Sequence, residues 1–325
     1  MSAGGRVVAI CVSRRKGERK TPVPSARLRA GHGIEGDAHA GPWHRQVSLL
    51  AAGDIDDFRA ASGVALNAGD FAENLVVEGV PLHALGLGSR LRAGDSAELR
   101  ISQIGKTCHA RCAIYEQSGD CIMPRLGLFA RVTRDGDIAP GDAVEVLEQI
   151  PRERFQAVAL TISDRGARGE TADTAGPAVA RLLERELGAH IYERRILPDE
   201  RPQIEEALRH FADGHSIDLI VAVGGTGFAP RDVTPEAVRA VVERLTPGLD
   251  EAMRAASLRN TPHAALSRAV SGIRGATLIV SLPGSERGAT ENLRAILPAL
   301  NHGLAKLRGD PSDCGRPPAP VETHG

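Results

Sequence analysis

The chain has 325 residues, 42% of them hydrophobic and 25% charged, with a formal net charge of −1. That length suffices for two domains with separate cores, and the near-zero charge supplies no broad basic field for nucleic acid or a membrane surface. Aromatics at 3% are too few for the stacking platforms of single-strand binders, and no apolar run reaches the length of a membrane span. The N-terminal segment lacks a signal peptide's apolar core, and the five cysteines have no framework spacing, so a cytoplasmic protein is expected.

Residues 1–148 are β-rich. Short apolar runs at 7–12, 47–50, 75–77, 97–101 and 143–147 are separated by Gly, Asp and Pro turns, including four Gly-Asp pairs that begin at Gly36, Gly69, Gly94 and Gly141. One helix is expected over 53–62. Residues 149–154, charged and containing Pro151, read as a linker. From Phe155 the pattern alternates. Strands are expected at 158–162, 191–197, 219–223 and 277–282, and helices at 176–187, 203–212, 235–245, 250–258 and 290–307. Such alternation predicts a three-layer α/β domain over 155–308 with a mainly parallel sheet. The proline-containing tail, 309–325, is expected to be disordered.

Chemistry gathers at the strand ends. The apolar run 219–223 stops at Gly224-Gly225-Thr226-Gly227, and a helix-like segment begins at Thr234-Pro235-Glu236. A buried strand opening into a glycine loop lets backbone N–H groups approach an anion. Asp232, at the edge of that loop, adds a carboxylate suited to Mg²⁺. Upstream stands Leu197-Pro198-Asp199-Glu200, and downstream the run 277–281 enters Leu282-Pro283-Gly284-Ser285. In open α/β sheets ligands bind outside the carboxyl ends of the strands, so these turns are expected to share one crevice. Taken alone, a glycine turn after a strand is commonplace.

With Thr161-Ile162-Ser163-Asp164-Arg165, Pro230-Arg231-Asp232-Val233-Thr234-Pro235, Pro247-Gly248 and Leu266-Ser267-Arg268, these stretches resemble the molybdopterin adenylyltransferase family over about 156–307. The resemblance implies transfer of AMP from Mg-ATP to the terminal phosphate of molybdopterin, and a trimer. Asp199 and Asp232 are the candidates to hold Mg²⁺ or position the nucleotide. Gly224, Gly225, Thr226 and Gly227 would form a nest, with Gly284 and Ser285 on the opposite wall. Ser163 and Asp164 close the first strand, where Asp164 and Arg165 are alternatively a structural ion pair. Arg268 either meets an anionic substrate or lies solvated at the surface. The LPG loop continues Ser285-Glu286-Arg287-Gly288, without the second proline of some relatives, and no Walker A sequence is present.

In the first half, Gly31-His32-Gly33-Ile34-Glu35-Gly36 has GxGxxG spacing, but no strand is expected before it and Asp37 and His39 follow where a helix should begin. His32, His39 and His44 lie near Glu35 and Asp37 at spacings that fit no regular face. That pattern favours a hydrogen-bonding polar pocket over a metal site. Cys108, Cys112, Cys121 and His109 form a second cluster without the tight pairing of a structural zinc site.

Residues 33–48, together with Phe71-Ala72-Glu73-Asn74-Leu75, 101–108 and 127–132, resemble the MOSC domain, which implies a β-barrel-like fold. Cys108 aligns with the cysteine of that family's turn, and flanking Lys106 and Arg111 would lower its pKa. The alternative for Cys108 is a small buried hydrophobe. The resemblances together imply a bifunctional protein of molybdenum cofactor biosynthesis whose first domain handles sulfur, metal–sulfur or the molybdenum cofactor, alongside other proteins of that pathway. The alternatives are a non-catalytic molybdopterin carrier and a Cys108-dependent sulfurtransferase.

Overall fold

The computed structural model describes residues 4–105 and 120–311. Two compact units make up the chain. One takes residues up to Val158 with Gly188–Arg194 and Glu206–Ile217; the other takes Ala159–Leu187, Arg195–Glu205 and residues from Asp218 onward.

The N-terminal strands are β1 (Gly4–Val12), β2 (Thr21–Val23), β3 (Ala26–Arg29), β4 (Gly33–Ile34), β5 (Val47–Ala51), β6 (Leu75–Glu78), β7 (Arg90–Ala93), β8 (Ala97–Ile104), β9 (Leu128–Arg134), β10 (Gly136–Ile138) and β11 (Ala143–Glu148). Helices α1 (Ala52–Ser62) and α2 (Met123–Leu126) interrupt them. The main sheet runs β11-β7-β8-β9-β5-β6-β1, and a β1–β11 pairing closes it into a seven-stranded barrel, with β2 added on β1. Strand β1 is long enough to serve three neighbours: Gly4–Arg6 face β11, Arg6–Ile10 face β6, and Ile10–Val12 face β2.

Burial explains which strands are visible in the sequence. Leu49, Leu75, Val77, Leu128 and Ala130 point into the barrel, whereas Leu50, Val76 and Phe129 join Phe58 and Phe71 in a second apolar cluster that includes residues of α1. Strands β5 and β6 and the first three residues of β9 are thus buried on both faces and read as mostly apolar runs. On β7 and β8, buried Leu91, Leu99 and Ile101 alternate with arginines and Glu98. The stretch expected as a linker is packed: Ile150 is buried, its N–H donates to Ser89 Oγ at 3.0 Å, and its carbonyl accepts from Gly86 at 2.7 Å.

The C-terminal strands are β12 (Gln156–Ile162), β13 (His190–Leu197), β14 (Leu219–Val223), β15 (Arg244–Leu245), β16 (Ser271–Arg274) and β17 (Thr277–Leu282), in the order β13-β12-β14-β17-β16-β15. The helices are α3 (Asp164–Ala167), α4 (Ala175–Glu186), α5 (Arg201–Gly214), α6 (Thr234–Val241), α7 (Pro247–Leu258) and α8 (Glu286–Leu307). Strands β14 and β17 pair in parallel from Leu219↔Leu278 to Val223↔Leu282, so their carboxyl ends lie level. Strands β16 and β15 run antiparallel to their neighbours, and the sheet is mixed. The expectation of a mainly parallel sheet did not include these two short strands. Arg274 pairs with Thr277 across Gly275, whose φ of +54° suits a two-residue hairpin loop far too short for a parallel crossover.

Leu49 is fully buried in the barrel. Leu49→Ala is expected to destabilise this unit by about 3 kcal/mol. Urea unfolding followed by Trp43, the chain's single tryptophan, checks it.

Candidate active site

A cleft of about 390 Å³ opens at the carboxyl ends of β12, β14 and β17. It is lined by Ser163, Asp199, Gly224, Gly225, Asp232, Gly284 and Ser285 among others, which brings together most of the residues singled out from sequence. Gly224 has φ +115° and a Cβ there would clash with the carbonyl oxygen of Ile162; Gly225 has φ +60°. Only glycine adopts such geometry without strain. Gly284 also packs onto the loop, since its Cβ would lie 3.3 Å from the Cα of Gly224. One expectation needs correction: Gly224 is no anion donor, because its N–H donates to the Leu282 carbonyl at 2.9 Å. Its role is close approach. Thr226 and Gly227 line an adjacent, more apolar cleft of about 300 Å³, which shares Ser285 with the first.

The carboxylates are held by the strand ends. Asp199 Oδ2 accepts from the Asp164 N–H at 2.8 Å, and Asp164 Oδ1 accepts from the Asp199 N–H at 3.0 Å. Asp232 Oδ2 accepts from the Ala229 N–H at 2.8 Å, closing the loop on itself. Asp164 pairs with Arg231 through Nε at 3.0 Å and Nη2 at 2.8 Å, while Arg231 Nη1 reaches Glu200 at 2.9 Å. The Asp164–Arg165 pair considered from sequence is therefore replaced by Asp164–Arg231. That guanidinium holds the Asp164 carboxyl below its usual range. Burial, with the nearby charges of Asp164 and Asp232, pushes Asp199 up. Two carboxylates with a glycine loop fit one Mg²⁺ completed by substrate phosphates, the usual arrangement for this ion.

Arg268 is half-buried and engaged by protein groups. Its Nε donates to the Gly227 carbonyl at 2.7 Å, its Nη2 donates to the Asp232 carbonyl, and its Nη1 pairs with Glu236 at 2.5 Å. It clamps the glycine loop. Ser285 caps α8, with its hydroxyl accepting from Gly288 at 3.2 Å, and Ser163 caps α3 in the same way. Sequence reasoning missed Asp173, which lines the cleft, accepts from Thr161 Oγ1 at 2.8 Å, and caps Gly176 at 2.9 Å. An acid three residues before a helical glycine was the available signal.

In the first unit a cleft of about 310 Å³ is lined by Lys16, His39, Trp43, Arg45, Asn74 and Met123 among others. Lys16 Nζ and the Arg45 guanidinium lie 5.0 and 5.1 Å from the Trp43 ring centre. The three histidines take separate roles. His39 borders this cleft, the backbone of His32 bonds to Arg29 and Gly41, and His44 Nε2 lies 3.0 Å from Gln103 Oε1. Burial lowers His44 to about 4. Among the described residues no group of three or more metal-ligating side chains gathers. Cys121 is buried, while Cys108, His109 and Cys112 lie outside the described residues.

A glycine loop, carboxylates and helix N-termini meet at the strand ends, where open α/β sheets bind their ligands. Residues 158–302 match the family model of the probable molybdopterin binding domain, and residues 36–145 match that of the MOSC domain. The molybdopterin adenylyltransferase of Helicobacter pylori (strain J99) is 40% identical over 152 residues, covering 46% of this chain and 86% of that protein. Gephyrin of Dictyostelium discoideum is 38% identical over 161 residues, covering 47% of this chain but only 22% of gephyrin. The solved structure of the molybdopterin biosynthesis enzyme MoaB from Thermus thermophilus is 48% identical, with a TM-score of 0.46, covering 49% of this chain and 99% of that one. The chain belongs to the molybdopterin-binding family and carries a MOSC domain ahead of that part. Among the described residues no helix is long and apolar enough to cross a membrane.

Gly224→Ala is expected to cost about 2 kcal/mol or more through strain at positive φ, whereas Gly248→Ala, with open space around it, is expected to be neutral. Thermal melts of the two variants check the pair. For Asp199, a raised folded-state pKa means that the neutral form is favoured by folding. Its stabilising effect is present below the ordinary carboxylate value and lost as pH rises through the raised one. Asp199→Asn is therefore expected to melt at or above the wild-type temperature at pH 7, and the advantage should vanish near pH 3. Melting curves at the two pH values test the sign.

Proposed function

We propose that the C-terminal half transfers AMP from ATP to molybdopterin, the activity named for its bacterial relatives. The observation that carries this is the convergence of Asp199, Asp232 and the Gly224–Gly225 turn on one cleft at the strand ends. A phosphate oxygen of the pterin attacks the α-phosphorus of ATP. The new P–O bond forms as the bond to the bridging oxygen breaks, and pyrophosphate leaves with that electron pair. Catalysis of this kind is positioning and charge neutralisation.

Asp199 and Asp232 would hold Mg²⁺, which supplies positive charge to the phosphates when bound. Each carboxylate spends Oδ2 on a backbone N–H and keeps Oδ1 for this purpose. The glycines let a phosphate approach the backbone, and Ser163, Gly284 and Ser285 form the surrounding walls. Asp164, paired to Arg231, positions Asp199 through their reciprocal backbone bonds.

For the first half we propose a cleft for an anionic, ring-bearing ligand of the same pathway, such as the molybdenum cofactor. Support comes from the two cations over Trp43. Ser48 and Asn74, the neutral polar side chains there, are already spent on each other and on backbone carbonyls.

The test is adenylyl transfer with purified protein, molybdopterin, ATP and Mg²⁺. Asp199→Asn and Asp232→Asn are each expected to lower kcat/KM by about 10²-fold or more with the fold intact. Pterin binding without product in the wild type would place the chain among carriers instead.

A further inference from the structure

A buried charge cluster outside the adenylyl-transfer chemistry lies against the first unit's cleft. Lys20 and Asp37 are 4% and 6% exposed, and Lys20 Nζ sits 2.5 Å from Asp37 Oδ1. Asp37 is fixed further by the backbone: Oδ1 accepts from Ser13 at 3.1 Å and Oδ2 accepts from His39 at 2.9 Å. Lys20 Nζ also lies 3.2 Å from His39 Nδ1, whereas Asp37 Oδ2 is 3.5 Å from that nitrogen. The first distance is within hydrogen-bond reach and the second is at its outer edge. An ammonium has donors only, so in the shorter of the two contacts His39 Nδ1 is the acceptor. A neutral imidazole that accepts at Nδ1 carries its proton on Nε2. With Nδ1 turned to the buried pair, Nε2 is the ring's remaining hydrogen-bonding atom, and His39 lines the cleft.

The pair itself is well held. Burial would raise Asp37, but the carboxyl is kept below its usual range, with the Lys20 ammonium and the His39 backbone N–H both donating to it. Burial draws Lys20 down, and the bond to Asp37 opposes that.

We propose that Lys20 fixes His39 in the tautomer with its proton on Nε2, so that the ring offers a hydrogen-bond donor to an oxyanion group bound beside Lys16 and Arg45. Lys20 and Asp37 are positioning residues, and His39 is the contact. The oxyanion class rests on the proposed anionic ligand of this cleft; the tautomer does not.

The experiment uses the full chain, labelled with ¹⁵N-histidine, and long-range ¹H–¹⁵N correlation of the neutral ring, with His39 assigned from His39→Gln. The wild type is expected to show a protonated Nε2 and a bare Nδ1. A proton on Nδ1 in the wild type would overturn the proposal, and this readout needs no variant to fold. Lys20→Met should release the tautomer and Lys20→Arg should keep it; an unchanged tautomer in folded Lys20→Met would also overturn it.

Inorganic phosphate, titrated against the fluorescence of Trp43, is the ligand probe. His39→Phe and Lys20→Met are each expected to weaken it about ten-fold, the effect of losing one hydrogen bond to a charged group. The correct tautomer with no phosphate response in any protein would sink the anionic reading of the cleft while supporting the hold of Lys20 on His39. Phosphate binding with the opposite tautomer would do the reverse.

Discussion

The C-terminal site depends on a close approach of backbones at three strand ends. Gly224 presses onto the Ile162 carbonyl that ends β12, and Gly284, just beyond β17, packs onto Gly224. A Cβ at Gly224 would clash outright, and one at Gly284 would be tight against Gly224. The level parallel ends of β14 and β17, at Val223↔Leu282, bring these turns together. Because the turns meet, Ser163, Asp199, Asp232 and Ser285 open on one cleft although more than a hundred residues separate the first from the last.

Charge is arranged around that contact with a division of labour. The arginines hold protein: Arg231 ties Asp164 to Glu200, and Arg268 ties the glycine loop to Glu236. Asp199 is left at an energetic disadvantage, partly buried between two other carboxylates. A group that folding disfavours in its charged form is well suited to meet a cation or a polyphosphate–cation complex. The cost to the fold is local, because the neighbouring hydrogen bonds fix the carboxylate by its other oxygen.

The sequence made legible what burial and glycine impose. Strands β12, β14 and β17 are buried along their whole length, so they appear as mainly apolar runs. Turns that need positive φ appear as glycines. Strands β15 and β16 stayed hidden because two exposed residues and four more of mixed burial are too short to show periodicity, and the mixed character of the sheet was hidden with them. Partner choice was equally illegible. Asp164 selects Arg231 over its neighbour Arg165, and Lys20 selects Asp37 across seventeen positions, since such pairs are set by how strands and loops meet in space. Arg268 looked like a surface or substrate group for the same reason.

Adenylyl transfer is distinguished by which phosphorus of ATP moves. Wild-type protein with molybdopterin, Mg²⁺ and ATP labelled at the α-phosphate is predicted to place the label in the pterin product while pyrophosphate stays unlabelled. Label reaching the pterin from γ-labelled ATP in a parallel reaction, or tight pterin binding with no label transferred, would contradict it.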